Sequence, residues 1–124
     1  MSRESVVQLI ERKKALYQKQ HEVGLQRLTA EEALAYCAPE NEAESQAKFL
    51  EANAEELAVQ LQLNRAQLFG LRFAKTPFPS ICLVCFINHG ESSSMAETKS
   101  TFGNGFKQFK CVKCGAELSV APTP

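Results

Sequence analysis

Along the first 23 residues the apolar positions return at helical intervals, with Val6, Leu9, Ile10, Leu16, Tyr17 and Val23 forming a stripe that Lys13, Lys14 and Gln20 interrupt. The spacing predicts a helix from Ser2 to about Val23, with a narrow apolar seam, a broad solvated face and a stop at Gly24. Thr29 then offers an N-cap, Glu32 its capping-box partner and Leu28 with Ala33 a hydrophobic staple, so a second, short helix is expected to about Cys37. Pro39 ends that helix and suits the first turn of a third. In the third, Ala43, Ala47, Leu50, Ala54, Leu57 and Leu61 step by three or four opposite a Glu/Gln face, and Phe49 widens the side expected to be buried. Asn64 is placed to cap a fourth helix through about Phe73, which Gly70 weakens by roughly 1 kcal/mol. Thr76-Pro77-Phe78-Pro79-Ser80 reads as a stiff, extended connector, because each proline pushes its predecessor out of the helical region.

Charge and composition narrow this picture only slightly. The 124 residues carry fourteen basic and fourteen acidic side chains, so bulk electrostatics gives no reason for tight nucleic-acid binding. Residues 1–74 hold nine Lys/Arg against eleven Glu, whereas residues 75–124 hold five Lys against three Glu, which makes the second part mildly positive. No apolar run approaches the ~20 residues that span a bilayer, and Met1-Ser2-Arg3-Glu4 runs into amphipathic sequence without a secretory signal. A cytoplasmic protein without membrane contact is expected. Glu91-Ser92-Ser93-Ser94 and Pro122-Thr123-Pro124 read as exposed, mobile segments.

The cysteines carry the chemistry. Cys82-Leu83-Val84-Cys85 and Cys111-Val112-Lys113-Cys114 each place two thiolates on one tight turn, and two such turns complete a tetrahedron around one structural zinc ion. The 25 residues between the pairs allow an outgoing strand, a loop near Gly90–Ser94 and a strand returning to Phe109-Lys110. Gly115 supplies a left-handed residue that turns amide N–H groups toward the sulfurs. About forty residues cannot bury a self-sufficient core, so metal must supply folding free energy. Cys37 lies on an apolar helix face near Leu34 as a small hydrophobe, and His89 as a solvated loop residue. Four thiolates close the zinc shell, and no nucleophile–base set or paired carboxylate is present, so no enzyme activity is expected.

This C-x2-C-x25-C-x2-C pattern, with Phe-Lys before the second pair and Gly after it, resembles the zinc-ribbon family over about residues 80–118. The resemblance implies a small antiparallel ribbon, as seen in transcription factors and RNA-polymerase-associated and ribosomal proteins, with Cys82, Cys85, Cys111 and Cys114 as ligands. Residues 56–73 resemble a helix-turn-helix motif, with Ala58 at the small packing position and Asn64-Arg65 opening a recognition helix. That resemblance implies Asn64, Arg65 and Gln67 facing bases, and Arg72 and Lys75 holding phosphates. The same segment also reads as a hairpin packing its leucines as core.

A second candidate surface interleaves cations with aromatics at Lys99, Phe102, Phe106, Lys107, Phe109, Lys110 and Lys113, the mix that single strands use for stacking and phosphate neutralisation. Gly103-Asn104-Gly105 reads as a tight turn presenting it. The expectation is therefore an α+β protein. A helical domain of three to four helices (1–75) leads through a connector (76–79) to a small antiparallel zinc ribbon (80–120) and a disordered tail (121–124). Two functions fit: a zinc-binding regulator that binds nucleic acid in transcription, and a protein-interaction adaptor whose helices dock onto a larger partner such as transcription machinery. Oligomeric state is left open.

Overall fold

The computed structural model describes residues 1–76, 79–98 and 105–121. The architecture is α+β: two long helices, α1 (Arg3–Ala35) and α2 (Glu42–Phe73), a short α3 (Leu83–His89), and strands β1 (Met95–Thr98), β2 (Lys107–Cys111) and β3 (Glu117–Val120). The four helical segments expected before Lys75 run together into two. Gly24 sits inside α1, and the Thr29 hydroxyl, expected to cap a new helix, donates instead to the Leu25 carbonyl one turn back, at 2.9 Å. Neither residue breaks a helix that is otherwise well supplied with helix formers. Pro39–Asn41 form a single 3-10 turn between the long helices, so the stop at Pro39 is where the sequence places it.

The chain divides into two compact units, 14–63 and 1–13 with 64–124. In the first, Leu16, Val23, Val59 and Leu63 are buried. Arg27 pairs with Glu56, and the Gln20 and Gln60 side chains meet, so the two helices run antiparallel as a hairpin. In the second, Leu9, Ala66, Phe69, Leu83, Phe86, Ile87, Phe109 and Val120 are buried, and the mutually tilted rings of Phe69 and Phe73 both pack edge to face with Phe86, all centroids 4.9–5.8 Å apart. The sheet is an antiparallel meander in the order β1-β2-β3, with Phe109 opposite Glu97 and Leu118. Among the described residues no helix is long and apolar enough to cross a membrane.

The buried face of α2 is the reverse of the one expected. The positions stepping alternately by three and four from Phe49 through Val59, Leu63 and Ala66 to Phe73 are buried or half-buried. A second series, from Ala43 through Leu50, Leu57, Leu61 and Leu68 to Leu71, steps in the same way and is exposed throughout, Leu57 at 63% and Leu71 at 74%. At 100° per residue the two series fall on nearly opposite faces. The stripe that is richer in leucine is the outward one.

Candidate metal centre

The two cysteine pairs come from different structural elements. Cys82, in extended conformation, is the residue from which α3 starts, and Cys85 lies within the first turn of that helix. The outgoing strand expected after Cys85 is therefore a helix: the run Leu-Val-Cys-Phe-Ile-Asn-His buries Leu83, Phe86 and Ile87 on one side, and Gly90 caps it with φ +69°. Cys111 ends β2, and Cys114 lies in the turn before β3. Ser80–Cys82 is stitched to Ser93–Met95 by Cys82 N–H to Ser93 O (2.8 Å), Met95 N–H to Ser80 O (3.0 Å) and a bridge between Ile81 and Ser94, so Ser93 and Ser94 are tied down. Val112 N–H to Ser94 O (3.2 Å) adds the second pair to the same frame.

The four sulfurs lie within 4.8 Å of one another. Cys82 Sγ is 3.5 Å from Cys114 Sγ, and Cys85 Sγ is 3.8 Å from Cys111 Sγ. A tetrahedron with four sulfurs about 2.3 Å from a central ion has edges of about 3.8 Å, so the donor set fits one tetrahedral thiophilic metal. Cys82, Cys85 and Cys111 are buried against Val84, Met95 and Ala116, while Cys114 is exposed. The amide N–H groups of Lys113 and Cys114 both donate to Cys111 Sγ at 3.4 Å, and that of Ala116 donates to Cys114 Sγ at 3.4 Å. Gly115, at φ +78°, makes this turn possible, as its position after the second pair implies. Amide donors and burial act on the thiols in opposite senses. The Cys114 and Lys113 amides pull Cys111 down to about 6, whereas burial pushes Cys82 up to about 12.

The other candidate residues are not brought together. Lys113 is paired with Glu91, which raises the ammonium's pKa and lowers the carboxylate's. Lys110 lies opposite Glu117 across the strands, and Glu117 also accepts from the Gln108 amide at 3.2 Å. Phe109 is buried, Phe106 and Lys107 are exposed, and Lys99, Phe102 and most of the Gly103–Gly105 turn lie outside the described residues. A continuous cation–aromatic surface is not assembled among the described residues.

The helix-turn-helix reading is corrected. Residues 56–73 belong to one uninterrupted helix, because nothing in Gln62-Leu63-Asn64 stops the chain and its backbone ladder continues through the expected turn. Arg65, expected at a base edge, is half-buried and donates to the carbonyls of Ile87 (3.4 Å) and Asn88 (3.3 Å), where it caps the C-terminal end of α3. Gln67 is exposed mid-helix, and the Arg72 guanidinium sits 5.7 Å from the Phe86 ring centroid. Two supporting residues were not legible in the sequence: Glu91, the partner of Lys113, and Arg12, which donates to Asn88 at 3.0 Å. Cys37 is half-buried, and its thiol donates to Leu34 O at 3.3 Å. His89 is exposed at the end of α3.

No family model, no curated protein and no solved structure matches this chain. Fold and site define it as an α+β protein with a four-cysteine cluster placed to hold one metal ion.

Proposed function

We propose that this protein is a zinc-dependent protein-interaction module, without catalytic activity, in which one structural zinc ion keeps the cysteine-bearing unit folded. The observation that carries this reading is the sulfur cluster: four thiolates complete the tetrahedral shell, and none of the positions is left for substrate. Zinc suits four sulfurs without redox chemistry, and the free thiols suit a reducing compartment such as the cytosol. The interaction half of the reading rests on exposed apolar side chains of the long helices, Val7, Ile10 and Tyr17 on α1 and Leu50, Leu57 and Leu61 on α2. The pairing of Lys113 with Glu91 favours this adaptor role over nucleic-acid binding. The zinc-ribbon resemblance makes transcription machinery the partner class to test first.

The test is a binding titration of the zinc-loaded chain against single- and double-stranded nucleic acid and against purified transcription machinery from the same source. The expected result is association with the protein assembly that Ile10→Glu weakens, and no nucleic-acid affinity at low salt. Nucleic-acid binding that falls steeply with salt, with a smaller slope in a Lys107→Ala/Lys110→Ala double variant, would replace this reading with the regulator one.

A further inference from the structure

The outward series of α2 has the strict alternation of three and four that a helix acquires when a second helix packs along it. A helix that only covers its own core needs one such series, and α2 meets that need on its other face. We infer that the outward face of α2 binds a second copy of this chain, with the two α2 helices antiparallel. The inference rests on the interaction reading of the hairpin and names its partner.

Two features of α2 select a second copy and fix its direction. The first is charge. From Glu42 to Glu56 the helix carries five Glu against Lys48, and from Leu57 to Phe73 its only charges are Arg65 and Arg72. Side by side in parallel, two copies would set acid against acid and arginine against arginine. Antiparallel, Glu44 of one copy flanks the seam beside Arg72 of the other, and Glu51 beside Arg65. The contacts of Arg65 and Arg72 with α3 hold these positive charges in place on the flank of α2. The second feature is volume. The outward series has alanine at 43, 47 and 54, leucine at 50, 57, 61, 68 and 71, and one polar residue, Asn64. A parallel pair stacks alanine on alanine at 43, 47 and 54 and leaves those layers underpacked. An antiparallel pair sets Ala47 against Leu71 and Ala54 against Asn64, with Leu50 against Leu68 and Leu57 against Leu61, so no alanine faces alanine along the seam.

The experiment uses the full zinc-loaded chain. Light scattering after size exclusion at about 100 µM is expected to give about 27 kDa, twice the 13.7 kDa of one chain. A Leu57→Glu/Leu61→Glu variant is expected at the single-chain mass with unchanged helical circular dichroism and zinc content, because both side chains are exposed in the isolated chain. Direction is read from spin labels on Lys48→Cys in a Cys37→Ser background. Antiparallel pairing separates the two labels by about 22 residues of helix, about 33 Å, whereas parallel pairing brings them within about 20 Å. A wild-type chain that stays at 13.7 kDa, a dimer indifferent to Leu57→Glu/Leu61→Glu, or a short label distance would overturn the inference. A monomer with one zinc that still binds the protein assembly would leave the adaptor reading standing and assign the face to a different chain.

Discussion

Lys113 and Cys114 turn their amides onto a single sulfur, and that local geometry sets how the site meets protons and metal. Cys111, held near 6 by those N–H groups, stays a thiolate until the pH falls through that value, so protons compete with zinc at this ligand only in more acidic solution. Cys82, pushed up to about 12 by burial, must give up a proton to zinc at any lower pH. Zinc loading at pH 7 is therefore expected to release fewer than four protons, measured by calorimetry in buffers of different ionisation enthalpy, and a count of four would contradict the assignment at Cys111. Zinc affinity should fall more steeply below about pH 6, where Cys111 joins Cys82 in competing with protons. Gly115→Ala is a second residue-scale test. An added Cβ meets nothing closer than Lys110 Cε at 3.9 Å, so only the φ of +78° is strained. That strain costs about 1–2 kcal/mol, which as a factor of about 5–30 should appear in a chelator competition for zinc.

At the scale of elements, the legible and illegible parts divide by how much of the answer is local. The metal cluster was legible because the spacing of Cys82, Cys85, Cys111 and Cys114 is itself the chemistry, and Gly115 because its role is set by one backbone angle. Strands β1 and β2 fall in the interval between the pairs, as its length allows, whereas β3, after the second pair, was not anticipated. Helix α3 was not legible, since a seven-residue apolar run fits strand or helix equally and its helix is held by tertiary partners, Arg65 and Arg12, far away in sequence. The boundaries at Gly24, Thr29 and Asn64 misled because capping residues announce a helix end only where the chain has a reason to turn. The face of α2 misled for a deeper reason: both faces carry apolar residues at heptad spacing, and the one that packs inside the chain uses Phe49, Val59, Leu63, Ala66 and Phe73, whereas most of the leucines lie on the other. Gly24→Ala is expected to stabilise the hairpin by roughly 0.5–1 kcal/mol in urea unfolding, because the position is helical and open space surrounds it. Gly70→Ala should gain less, since its Cβ meets Leu9 Cδ2 at 3.2 Å.

On the scale of the whole molecule the two units depend on different forces. Unit 14–63 is held by contacts between its two helices, the buried Leu16, Val23, Val59 and Leu63 and the Arg27–Glu56 pair, and it contains none of the four clustered cysteines. The cysteine-bearing unit has a buried aromatic group, but its sheet is only three short strands, and the turn carrying Cys111 and Cys114 is organised around sulfur. Cys111→Ser should therefore abolish stoichiometric zinc binding and disorder β2 and β3, while Cys37→Ser leaves zinc content unchanged, both read by metal analysis and amide spectra. Whether a structural metal rather than packing holds this unit together is decided by residue-resolved NMR of the reduced full chain before and after zinc is removed with a chelator. The expected result is one zinc per chain, collapse of the dispersed signals of residues 80–98 and 105–120 on chelation, and survival of the signals from 14–63. Dispersed signals throughout 80–120 after the zinc has gone would contradict it.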